Sequence, residues 1–173
     1  MFEKERSNIM DKRLPYNEKE GLIYGGIIAL ITVIVMLFLN IGTSFGMINF
    51  KVLLIILKMI PIIWLTAMLV EHFIVGKISD KLMSIFTTNN DSFNSKVLFN
   101  ILFCVTGMSM IMTILGSMIG QGKLSLEPFA TFLTHWPRNF CVAFWCEILL
   151  AQPTARYIMK LIHSRCTKKA TLS

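Results

Sequence analysis

The chain has 173 residues, 54% of them hydrophobic and 16% charged, with a net charge of +7 and a mean hydropathy of +0.64. That is too apolar for an ordinary soluble domain of this size. The Lys and Arg residues lie between apolar runs and do not gather with aromatics on one surface, which argues against a nucleic-acid partner and for the lipid bilayer.

Residues 1–20 are polar, with Lys4, Arg6, Lys12, Arg13 and Lys19 mixed among acidic residues, and they read as a cytosolic tail. No apolar run ahead of a small-residue cleavage site occurs there, so the first apolar segment is expected to stay in the protein. From Gly21 to Phe50 there is no Asp, Glu, Lys or Arg. At about 1.5 Å per residue this is long enough for a transmembrane helix over about 21–41. Gly25, Gly26 and Ala29 give it a small-residue patch. Asn40 to Gly46 then read as a turn, and a second span is expected over about 52–75, containing Lys58 and Pro61 and closing on Glu71 and His72.

A polar linker containing Lys77, Asp80, Lys81 and the run Thr87 to Ser92 separates the halves, most clearly over 84–96. The third span is expected over about 97–119, a turn follows at Gly120 to Lys123, and the fourth span over about 128–151 precedes a basic tail at 160–173. The expected fold is therefore an all-α membrane protein of four transmembrane helices. The N-terminal tail, central linker and C-terminal tail hold the Lys and Arg residues, against Lys51 and Lys123 in the other two loops. Positive residues favour the cytoplasmic side, so both termini are expected there.

An offset of 76 residues lays Pro61 on Pro137, Ala67 on Ala143 and Glu71 on Glu147 without a gap. This spacing predicts two tandem helical hairpins, over 21–83 and 97–159, in parallel orientation. The pair of hairpins, the HWPRNF stretch at His135 to Phe140 and the AQPTAR stretch at Ala151 to Arg156 resemble the bacterial membrane-protein family catalogued as domain of unknown function 2798. Each hairpin is similar to one unit of that family, over roughly 20–85 and 95–160. The second copy fits better; the first has Ile62 where Arg138 stands and Gly76-Lys77 in place of Gln152-Pro153. The resemblance implies a bacterial cell membrane and brings no activity, cofactor or catalytic residue with it.

The candidate polar site comprises His135, Arg138, Glu147, Glu71, Lys58 and Gln152. Arg138, ten residues into the fourth span, is expected near mid-depth, where charge is costly without a partner. Glu147 is about 13 Å away along the same helix, so the partner should come from another helix, another subunit, or the carbonyls released by Pro137. Glu71 and Glu147 are expected at cytoplasmic helix ends, within reach of Lys77, Lys81 or Arg156, and Lys58 is expected to snorkel outward. His135 has no second His or Cys at ligand spacing, so no metal site is expected. Trp64, Trp136 and Trp145 read as packing residues, as do the reduced cysteines Cys104, Cys141, Cys146 and Cys166.

No GxSxG, Walker, HExxH or dinucleotide motif occurs; neither enzyme activity nor a cofactor is expected. Two functions compete: a structural or interaction role in the membrane, and a small oligomeric transporter or channel for an ion or small anion using Arg138, Glu71 and Glu147. Four short helices are expected to leave little room for a route within one chain, which would make a homo-oligomer necessary for transport. The helices are expected to pack as a compact bundle, loosened at Pro61 and Pro137.

Overall fold

The computed structural model describes residues 17–46, 49–88, 91–122 and 126–170. The tail at 1–16, Lys123 and the side chain of Cys166 lie outside the described residues. All the regular structure described is helical: α1 (Glu18–Phe45), α2 (Phe50–Val70), α3 (Gly76–Phe86), α4 (Phe93–Gln121), α5 (Glu127–Ala130), α6 (Phe132–Cys146) and α7 (Gln152–Ala170). Two π turns, Glu71–Val75 and Glu147–Ala151, join α2 to α3 and α6 to α7 without interruption. Helices are what this composition requires, because apolar surroundings offer the backbone no other hydrogen-bond partners.

The ends of the helices follow from local chemistry. Gly46 and Gly122 take left-handed conformations, φ 69° and 62°, and close α1 and α4. Ser92 caps α4 by accepting from the Ser95 amide through its hydroxyl. The helices outrun the expected spans: the second continues through the π turn to Phe86, so the break between the halves narrows to 87–92, and the fourth continues to Ala170 where a tail was expected.

Three helical stretches are long and apolar enough to cross a membrane, Lys19–Thr43, Phe50–Phe86 and Ser95–Gly120. The fourth helix is not among them, because His135, Arg138, Asn139, Glu147 and Gln152 dilute its apolar run. Its outer surface is nonetheless apolar: Leu133, Trp145, Leu149, Leu150 and Tyr157 are all more than half exposed. Trp145 thus faces outward, whereas Trp64 and Trp136 turn inward.

Small side chains fill the interior, among them Ala29, Ala67, Ala143, Ala151 and Ala155. This is the packing expected where lipid tails are as apolar as any side chain and close backbone approach drives association. α1 lies along α2, and α4 along α6. α1 also packs against α6, the second π turn and α7, while α4 packs against α2, the first π turn and α3. Gly107 of α4 makes room for the first π turn: a Cβ there would lie 3.1 Å from Val75 Cγ1.

The irregularities do not fall at the prolines. α2 and α6 continue through Pro61 and Pro137, and the ladder widens ten residues later, where Gly76 N–H bonds the Glu71 carbonyl and Gln152 N–H bonds that of Glu147. The two π turns stand 76 residues apart, the offset of the sequence match, and each opens on its glutamate. Tyr24 and Asn100 are also 76 apart, and each bonds a residue just past a π turn, Gln152 and Ser79 respectively.

Candidate functional site

The helices enclose a cavity of about 800 Å³ within one chain, contrary to the small internal volume expected of four short helices. Its walls include Glu71, Glu147, Gln152, His135 and Arg138 of the expected site. Lys58 is exposed and is not part of it. Along α1 the lining runs from Gly21 through Tyr24, Thr32 and Asn40 to Thr43, a distance of about 33 Å at the helical rise.

At one end, Arg138 Nη2 donates to Asn40 Oδ1 at 2.8 Å and to Asn139 Oδ1 at 3.4 Å, and Nη1 donates to Thr43 Oγ1 at 3.5 Å. The partner does come from another helix, but it is an amide and a hydroxyl, not a carboxylate. Arg138 Nε is buried without a hydrogen-bond partner. Asn40 and Thr43 sit in the last turns of α1, so the guanidinium lies at the rim of the apolar span and not at mid-depth. The reason is direction: helical side chains lean toward their own N-terminus, and a long one carries its charge that way. His135 stands exposed at the same mouth, one turn earlier.

Asn139 is buried and donates to Thr113 Oγ1 at 3.1 Å, and Thr113 in turn donates to the Ser109 carbonyl. Trp136 Nε1 donates to Ser109 Oγ at 3.1 Å. Together these bonds fix the face that α6 turns toward α4, and with it the direction of Arg138.

At the other end, Glu71 and Glu147 are not at helix ends. Their helices run on past them to Phe86 and Ala170, and both carboxylates face the cavity half-buried. They lie within electrostatic range of each other. Glu147 Oε1 accepts from Gln152 Nε2 at 3.4 Å, and Gln152 Oε1 accepts from the Tyr24 hydroxyl at 2.5 Å. Arg156 also lies against that hydroxyl. Gly25 leaves the space facing Glu71, where a Cβ would lie 3.8 Å from Oε1. Trp64 Nε1 holds the adjacent backbone by donating to the Gly26 carbonyl at 3.0 Å.

Tyr24, Asn40, Thr43 and Asn139 were missed as site residues. Asn40 and Thr43 had been assigned to a turn, and helix α1 runs through both. The available signal was that a polar side chain inside an apolar span needs a partner there. No curated protein and no solved structure matches the chain. The family model described as domain of unknown function (DUF2798) matches residues 92–163, and this half of the chain, from the cap of α4 to His163, is a DUF2798 domain.

Proposed function

We propose that the protein is a multi-pass membrane protein that moves a small anion across the bilayer through its own interior. One observation carries the reading: the lining of a single cavity extends along α1 for about 33 Å, comparable with a hydrocarbon core of about 30 Å. Arg138 supplies the positive end. Its acceptors are neutral oxygens, so its charge is left to attract an anion. Glu71 and Glu147 form the opposite end, which an anion crosses when their charge is lowered by protonation or offset by Arg156.

In this reading the fourth helix crosses the membrane as well, in keeping with its lipid-suited outer face. The two halves are tandem hairpins related by an axis along the membrane normal, which the matching π turns support. Both termini lie in the cytoplasm of a bacterial cell, no catalytic step is assigned, and one chain suffices without an oligomer.

The test uses purified protein in liposomes with chloride as the probe. Wild type should release chloride above protein-free vesicles, and Arg138→Ala should reduce the rate at least about ten-fold, the range over which loss of one charge-stabilising contact acts, at unchanged expression and insertion. Wild-type vesicles no leakier than empty ones to chloride, nitrate and phosphate would remove the reading and leave a structural or interaction role.

A further inference from the structure

A second cavity, of about 530 Å³, opens on the outside of the bundle between α4 and α7. Its walls join Leu98 and Ile101 of α4, Ile148 of the second π turn, and Pro153, Arg156 and Lys160 of α7. It exists because α4 packs closely on α6, ahead of the π turn, and the two helices diverge past it. Leu98 is 52% exposed and Pro153 and Lys160 are exposed, so the groove faces the surroundings of the protein and not its interior.

We infer that this groove holds an anionic phospholipid, its headgroup on Arg156 and Lys160 and an acyl chain along Leu98, Ile101 and Ile148. The chemistry of the walls is divided in the way a lipid is divided. The apolar residues lie toward the bundle centre, and the two cations lie one and two turns beyond Gln152, at the end where Lys96, Lys77 and Lys81 also gather. Arg156 Nε is buried without a hydrogen-bond partner, so one polar hydrogen of the guanidinium remains for a ligand oxygen. A free phosphate would leave the apolar floor unused, and a neutral lipid would leave both cations unpaired. Basic pockets between helices on the cytoplasmic side are suited to anionic headgroups.

The related positions in the first half sharpen the assignment. Displacing Arg156 and Lys160 by 76 residues gives Asp80 and Ser84. The chain therefore builds the cationic groove once, although both halves share the π turn that parts the helices. Nothing in the inference depends on anion movement.

The experiment is native mass spectrometry of the full chain recovered from membranes of equimolar phosphatidylglycerol and phosphatidylcholine. Wild type should retain phosphatidylglycerol in preference. The double variant Arg156→Gln, Lys160→Gln should lose that retention about 30-fold, as expected for two interfacial cations. Lys77→Gln, Lys81→Gln removes equal charge from the other half and should leave it within about two-fold, since those cations lie off the groove. Leu98→Trp keeps the charges, fills the floor and should also release the lipid; it serves as the test if the charge variant fails to fold. Equal retention of the two lipids by wild type, equal loss from both charge variants, retention by Leu98→Trp, or displacement by equimolar glycerol 3-phosphate would each overturn the assignment.

Discussion

Arg138 shows how far a side chain can carry a charge from the position its backbone suggests. The residue was legible in the sequence as an expensive charge in an apolar helix, and so was the need for a partner on a neighbouring helix. Its depth was not legible, because depth depends on how the side chain leans and where α1 ends. A double-mutant cycle measures the link. Arg138→Ala and Asn40→Ala should each destabilise the protein by about 1 kcal/mol and couple by about 1 kcal/mol, as for a partly exposed charge-assisted bond. Thermal or denaturant unfolding in detergent reads this, and additive effects would mean that the 2.8 Å contact contributes nothing.

At the scale of elements, the π turns matter most. The repeated Pro, Ala and Glu residues announced a shared plan, and the plan places the widened turns at equivalent points. The turns themselves were hidden, since a π turn amounts to one extra residue accommodated by its neighbours, here by the missing side chain of Gly107 beside Val75. Deleting Phe73, whose side chain is exposed, should restore α geometry and rotate α3 by about 100°. Ser79 would then leave Asn100 and Cys104, to which it is bonded at 3.1 and 3.2 Å. The deletion should cost about 2 kcal/mol or more through these buried groups, whereas Phe73→Leu should be near neutral. A deletion as stable as wild type, measured by thermal aggregation, would show that the turn has no packing role.

For the whole molecule, the number of crossings and the sign of the permeant ion are separable. Four crossings predict that single cysteines at Asp91 and Ser164 label from the cytoplasm and one at Gly122 from outside; three crossings would bring Ser164 outside. Acidification should raise chloride flux, because Glu71 and Glu147 repel an anion only when ionised. Tyr24, Cys104 and Arg156 are the other titratable groups facing that end. Glu71→Gln with Glu147→Gln should flatten the pH profile, and an undiminished slope would assign it elsewhere. The broad fold was readable because apolar length and cation placement act locally. The cavity was not, because it arises from small residues on four separate helices.

The unbroken helix from Phe50 to Phe86 contains 37 residues, about 55 Å at the helical rise, against a hydrocarbon core of about 30 Å. Upright, it would project its last turns into water with Ile78, Ile85 and Phe86 bare. Tilt brings those residues down to the headgroups while Lys77, Asp80 and Lys81 stay hydrated. Bilayer thickness therefore sets the lean of this helix. Because the same helix walls the cavity, a thicker or thinner membrane changes the bore as directly as a mutation does.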